Sequence, residues 1–395
     1  MLLFPRAAPP GNIRVWVGLT QQPDHPPPVL TWELNGKPAR PSKHRWAPLR
    51  TGELRDPGTK LHTWTGSFEF AVAKTSTLHR VAACADASGL EREIALRSLP
   101  ARIPDDGLHL LLSSCFCHYE AEASKVSVAL ENAKKACPRR PGTSGPDLAL
   151  LMGDQVYLDL PSTEVLPRTA HELASVFERK YLENWRTYPG NYPSLANLLA
   201  AAPALTIPDD HEFWNNFPTA SPVVQSTWSA QGRATYTAAA RAMVDGFQTP
   251  LDAPKPLRLD IDPLSLLALD TRTHRTSNRL LTDDALGELY RWVGELRPGQ
   301  VGILVTGQSL FMPRVASMSG NVTDWETPNY LDFKRIVTAL CQAPCRIICL
   351  TGDVHWGRVI KAASLQPGVR PDVFEVIVSP LSLVSPQVRS NVKEP

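Results

Sequence analysis

The sequence has no apolar run approaching the ~20 consecutive residues that a membrane-crossing helix needs, so no membrane span is expected. It also lacks an excess of charge of one sign. Lys and Arg number 41 against 39 Asp and Glu, a formal charge of +2, and no long Lys/Arg block occurs. Nucleic-acid binders concentrate basic charge on one surface, so stable nucleic-acid binding is not expected. Cysteine is scarce and odd in number: Cys84, Cys115, Cys117, Cys137, Cys341, Cys345 and Cys349. These lie mostly on or near apolar segments, which argues against a disulfide framework and for a reducing compartment. The N-terminal Met1-Leu2-Leu3-Phe4-Pro5-Arg6 carries neither the apolar core of an export signal nor a twin arginine. A cytoplasmic location is therefore expected, with export left open for a chain whose leader has been trimmed. Proline, by contrast, is plentiful at 37 residues, which predicts many rigid loops between recurring apolar segments.

At 395 residues the chain is expected to hold two domains. Residues 1–100 show short alternating segments: Asn12 to Val17, Val29 to Leu34 closed by Asn35-Gly36, Thr63 to Phe70, His79 to Cys84 and Arg92 to Leu96. Short strands with frequent turn signals predict a small all-β sandwich of immunoglobulin or fibronectin III type. Trp16, Trp32 and Trp64 are its expected core. Ser98 to Asp106, with Pro100 and Pro104, is the expected linker. From residue 107 to 395 strands alternate with helical patterns, so the fold class is α/β.

In this second part three apolar strands end abruptly on acids. Leu148 to Met152 stops at Gly153 and delivers Asp154, Tyr157 and Asp159. Leu205 to Pro208 runs into Asp209-Asp210-His211-Glu212, and Ile347 to Thr351 into Gly352-Asp353-Val354-His355. An earlier strand, Leu108 to Leu112, leads to Ser114-Cys115-Phe116-Cys117. Ligands gather at the carboxyl ends of such strands. Acids, imidazoles, a thiol and a phenol in one place suit a metal cluster. Asp154 has two oxygens to share between two ions, which would favour metal-assisted hydrolysis by in-line attack. His211 is placed to protonate a leaving alkoxide. Cys341, Cys345 and Cys349 are not a zinc site, because the run crosses from a helix end into a strand and the thiols diverge.

The blocks Gly153-Asp154-Gln155-Val156-Tyr157-Leu158-Asp159, Asp209-Asp210-His211-Glu212 with Asn215-Asn216, and Gly352-Asp353-Val354-His355 resemble the PhoD-like alkaline phosphatase/phosphodiesterase family of the calcineurin-like metallophosphoesterases. Ser114-Cys115 and Leu269-Asp270-Thr271-Arg272 add to the likeness, which covers residues 107–385. The resemblance implies a four-layer α/β/β/α domain preceded by a β-sandwich. It implies hydrolysis of phosphodiesters or phosphomonoesters by a metal-bound hydroxide in a multinuclear site, with nucleotides or phospholipid head groups among the candidate substrates. By position, Cys115 and Tyr157 would bind Fe3+, Asp154 would bridge and take part in catalysis, and Asp210 would hold Ca2+. His211 would be the catalytic histidine, and Asp353 and His355 the last ligand pair. Mn2+ or Zn2+ could replace either ion. Cys117 competes with Cys115 as ligand. Asn215, Asn216, Asp159, Asp270 and Arg272 are further candidates for metal or substrate contact. Gln308 stands where the wider superfamily often supplies a histidine, which motivates an alternative: a non-catalytic protein with a structural metal and a partner-binding β-domain. Substrate choice is assigned to the loops 161–167 and 317–328.

Overall fold

The computed structural model describes residues 1–21, 27–58, 61–86, 88–118, 123–137, 145–187, 194–249, 255–312, 326–362, 372–378 and 380–382. The N-terminal strands are β1 (Leu2–Arg6), β2 (Asn12–Gln21), β3 (Leu30–Leu34), β4 (Lys37–Ala39), β5 (Lys43–Pro48), β6 (His62–Ala71), β7 (Leu78–Ala85) and β8 (Leu90–Arg97). Then follow β9 (Leu110–Ser113), α1 (Ala123–Ala136), β10 (Leu148–Met152), α2 (Ala170–Trp185), α3 (Leu195–Ala201), β11 (Ala204–Ile207) and α4 (Ala230–Phe247). The last group is β12 (Leu257–Ile261), β13 (Leu264–Ala268), α5 (Asp283–Glu295), β14 (Val301–Val305), α6 (Phe333–Cys341), β15 (Arg346–Thr351), β16 (Arg358–Lys361) and β17 (Val373–Ile377).

Local sequence explains where the helices begin. The Thr282 hydroxyl accepts the Ala285 N–H, and Asp283 and Asp284 occupy the positive first turn of α5. Ser229 caps α4 the same way, through the Gly232 N–H. Among the described residues no helix is long and apolar enough to cross a membrane.

Two sheets face one another in the second part of the chain. One contains the parallel run β9-β10-β11; the other has the order β12-β13-β14-β15-β17-β16. Strand β10 is buried along its whole length and divides its side chains by alternation. Leu148, Leu150 and Met152 point between the sheets, against Leu259, Leu266, Ile303 and Val305. Ala149 and Leu151 point outward, into a layer built from α2, α3 and α4. Helices α5 and α6 cover the outer face of the second sheet. The result is the expected four-layer α/β/β/α arrangement.

The N-terminal sandwich is present, with Val15, Val17, Trp32, Phe68 and Val81 in its core. Its larger sheet does not stop at the boundary between the two parts, however. The order is β5-β6-β2-β1-β11-β10-β9, so β1 joins the sandwich to the α/β sheet through the Arg6–Ala204 pair and the Ala7 N–H to Ala204 carbonyl bond of 3.0 Å. Trp16 lies on the opposite face of β2 from Val15 and Val17. It packs against Phe4 and Phe247 instead of the sandwich core. Trp64 is only half-buried and meets Trp46.

The strand tips of the two sheets nearly touch at Gly352. A Cβ there would lie 2.2 Å from the Met152 carbonyl oxygen and 2.8 Å from the Ser114 Cβ. Both obstacles are strand-end atoms that cannot swing away. Gly352→Ala is therefore expected to destabilise the fold by about 1–3 kcal/mol, the usual range for forced overpacking. An unchanged urea midpoint in this variant would contradict the close approach.

Candidate metal centre

The tips of β9, β10, β11 and β15 place their following residues around one point. Four of these residues take left-handed backbone: Cys115 (φ 52°), Asp154 (φ 56°), Asp353 (φ 75°) and His355 (φ 58°). Such conformations are disfavoured for residues with a Cβ, and they turn each side chain sharply off its strand. Three sets of potential ligand atoms result, with each set mutually within 4.8 Å: Cys115, Asp154 and His355; Asp154, Asp210 and His211; and Asp209, Asp210 and Asp353. Asp154 belongs to the first two sets and Asp210 to the last two. Each of these two carboxyl groups is thus within reach of two candidate sites.

Tyr157 joins the first set. Its hydroxyl lies 3.5 Å from Asp154 Oδ2 and 3.3 Å from His355 Nε2, and its ring packs on His211 with centroids 4.1 Å apart. The Cys115 thiol is 3.4 Å from Asp154 Oδ2. The Cys117 thiol is in none of the three sets. It packs with Tyr157 and Leu160, while the Cys117 backbone exchanges hydrogen bonds with the Ser382 hydroxyl at 2.7 and 3.1 Å.

The remaining candidates are positioned as supports. Asp159 Oδ1 lies 2.8 Å from His211 Nδ1, and its Oδ2 accepts the Asn215 N–H at 2.8 Å. The ring is thereby held at Nδ1, with Asp159 as its anchor. Asn216, at φ 71°, gives its N–H to Asp210 Oδ2 at 2.8 Å. Asp270 closes a local turn, accepting the N–H groups of Arg272 and Thr273 at 2.9 and 2.8 Å, and it enters no ligand set. Arg272, a candidate for substrate contact, is buried in a salt bridge. The side chain is fully enclosed, donating to Asp209 Oδ1 at 2.6 Å and to the Phe217 carbonyl at 2.9 Å. Gln308 is likewise buried, its amide oxygen held by Arg275 at 2.6 Å.

Of the two remaining residues of the site, the sequence does not single out Asp209 and gives Glu212 equal weight as ligand or as support. Asp209 completes the third ligand set, and Glu212 accepts backbone N–H groups from the turn that carries Asp154. Both stand inside the Asp209-Asp210-His211-Glu212 block, so adjacency to Asp210 and His211 was the available signal.

The electrostatics call for a cation. Burial pushes Asp154 well above the usual carboxylate range, against the opposing pull of His211. Asp209 is raised to about 8 by burial, although Arg272 opposes this. Burial and the neighbouring Asp154 also raise Cys115 and Tyr157. His211 is lowered by burial, yet Asp159, Asp210 and Asp154 outweigh that and hold it well above its ordinary value. The contacts to the Asp154 carboxylate are long, at 3.3 to 3.5 Å, and Asp209 Oδ2 is buried with no hydrogen-bond partner. Buried carboxylate oxygens left in this state are costly. Oxygen-rich ligands with one thiol, one phenol and two imidazoles fit an oxygen-loving ion beside a transition-metal ion.

The family model for PhoD-like phosphatases matches residues 131–394, a span that holds Asp154, Tyr157, Asp210, His211, Asp353 and His355. The solved structure of PhoD is similar over 96% of this chain and 77% of its own, with 14% identity and a TM-score of 0.64, which establishes the common fold. An IgNAR antibody domain C1 matches 24% of this chain and 88% of its own at 12% identity, with a TM-score of only 0.18. No curated protein matches the chain. With the family model covering most of the sequence and nearly all of the candidate strand-end residues, the chain belongs to the PhoD-like phosphatases and is a phosphoesterase hydrolase.

Proposed function

We propose that this phosphoesterase acts on both mono- and diesters of phosphate through an Fe3+ and Ca2+ pair, with Mn2+ or Zn2+ as substitutes. The observation that carries the reading is the position of Asp154, shared between the set with Cys115 and His355 and the set with Asp210 and His211. Cys115, Tyr157 and His355 would hold the trivalent ion, because thiolate and phenolate donors favour it. Asp210 and the other carboxylates would hold the harder divalent ion. Bound ions of this kind supply Lewis acidity toward a phosphoryl oxygen and make water a nucleophile near neutral pH.

The chain's own residues supply the proton chemistry. Asp159 fixes His211 through Nδ1, and against the opposing effect of burial the neighbouring acids favour the protonated imidazole. Its Nε2 can then donate to a departing alkoxide, a contribution worth roughly 10²–10⁴-fold. The loop at residues 161–167 is anchored beside the site, since the Lys180 ammonium donates to the Leu158 and Leu160 carbonyls at 2.9 and 2.5 Å and pairs with Glu164 at 2.7 Å. Residues 317–325 of the second specificity loop lie outside the described residues. The family speaks against a non-catalytic reading, and the Gln308 that motivates that reading is buried and bonded to Arg275.

The test is release of nitrophenol from mono- and bis-nitrophenyl phosphate, with and without chelator, alongside elemental analysis. Metal-dependent turnover of both esters and a visible tyrosinate-to-iron absorption band are expected. Active protein that is colourless and free of iron would overturn the ion assignment and leave the hydrolysis standing. Absence of turnover across a broad metal panel would defeat the whole reading.

A further inference from the structure

Glu212 lies under the turn that follows β10. One oxygen accepts the N–H groups of Gln155 and Val156 at 2.5 and 3.2 Å; the other accepts those of Asp154 and Asp209 at 3.0 and 2.8 Å. Successive N–H groups wrapped around one anion form a stable nest. That nest secures Asp154 in its left-handed conformation, which is costly for a residue with a Cβ although Asp adopts it more readily than most.

One side chain completes the shell of Glu212. Gln248, the residue after α4, donates from Nε2 to Glu212 Oε1 at 3.0 Å and also reaches the Gln155 amide oxygen. The Gln248 amide oxygen accepts the Tyr181 hydroxyl at 2.9 Å. Its backbone carbonyl accepts the Thr206 hydroxyl at 3.0 Å. Thr206 Oγ1 accepts in turn from Arg6 of β1 at 2.9 Å, and Arg6 also donates to the Phe247 carbonyl. Arg6, Tyr181, Thr206, Glu212 and Gln248 are all buried. A continuous hydrogen-bonded chain thus runs from the first strand of the protein to the turn carrying the shared carboxylate.

We propose that Gln248 is a positioning residue for Asp154, acting through Glu212, and that β1 takes part in this support through Arg6 and Thr206. The inference rests on the reading of Asp154 as a metal-bridging residue. Without its only side-chain donor among the described residues, Glu212 keeps its four backbone N–H bonds but loses the contact that fixes Oε1 against the end of α4, and the turn is held less tightly. Metal sites tolerate displacements of only about 0.5 Å, so a shift of the Asp154 carboxylate is read as loss of metal grip and of turnover. Substrate does not meet Gln248, so KM is unaffected.

The experiment compares Gln248→Met, which keeps the volume but not the hydrogen bonds, and Thr206→Val, which keeps the shape but cuts the link to Arg6. Metal retention against a chelator, kcat and KM on a nitrophenyl ester, and thermal midpoint are measured for each. Gln248→Met is expected to lose about 10–100-fold in metal retention or kcat, the range for partners that orient metal ligands. KM should stay within about twofold at a temperature well below unfolding. Thr206→Val should lose less, in the same direction. A Gln248→Met protein with wild-type metal retention and kcat, or with a lowered thermal midpoint as its only defect, overturns the proposal. If Gln248→Met does not fold, the same criterion applied to Thr206→Val decides. A wild-type protein without turnover would instead defeat the proposed function, and the chelator comparison would still decide the role of Gln248.

Discussion

Asp154→Asn is expected to strip the protein of bound metal and lower turnover by more than about 100-fold, the upper end for residues one layer further from an ion. Asn has the same shape and tolerates the left-handed backbone at this position, so the turn should survive. What it lacks is the second anionic oxygen needed in both ligand sets. The same substitution should raise the stability of the metal-free protein. Burial holds the Asp154 carboxyl far above its ordinary range, so its ionised form opposes folding when no cation is present. Elemental analysis, turnover and urea midpoints in chelator give the three readouts. Metal content and turnover within tenfold of wild type would contradict a shared role for Asp154.

Metal removal should make stability strongly dependent on pH in an unusual direction. In the metal-free fold burial lifts Asp209 to about 8 and Glu212 to about 7. Unfolded carboxyls titrate near pH 4. Below about pH 4 both states hold these protons, and the favourable contribution is fully present. Between about pH 4 and 8 the unfolded chain has released protons that the folded chain retains. It then binds fewer protons, so stability falls as pH rises. The ceiling is about 1.4 kcal/mol per pH unit for each group. Bound cations favour the ionised carboxylates, so the metal-loaded protein should be flatter over the same window. Urea midpoints between pH 5 and pH 8.5, with chelator and with metal, check this. A chelated sample whose midpoint holds steady or climbs over that range would refute it.

The ligands were legible in the sequence because a buried strand that breaks at Gly-Asp leaves a visible mark. Leu148 to Met152, Leu205 to Ile207 and Ile347 to Thr351 each announce both a strand and the acid beyond it. Their supports were harder to see. Glu212 is bonded mainly to backbone N–H groups, which every residue except proline carries, so no residue type elsewhere betrays it. Asp209 meets Arg272 across 63 residues of chain, a pairing that only the packed sheets create. The anchoring role of Asp159 required the position of His211 in space. Strand β1 carries Pro5 and sits at an end of the chain, so five residues with little pattern concealed a strand flanked on both sides. Trp16, expected in the sandwich core, lies outside it, and the alternation held that signal: Ile13, Val15 and Val17 share one face of β2, which sends Trp16 to the other.

The central place of β1 sets an order of events for a chain made from its N-terminus. Its parallel partner β11 follows about 200 residues later, and synthesis at about 5–20 residues per second puts roughly 10–40 s between them. The sandwich strands can pair during that interval, leaving β1 as an exposed edge. Pro5 removes one backbone donor from that edge, a feature that discourages pairing with other chains. The larger sheet closes only after β11 emerges, and this distant contact makes its completion a slow, late step of folding.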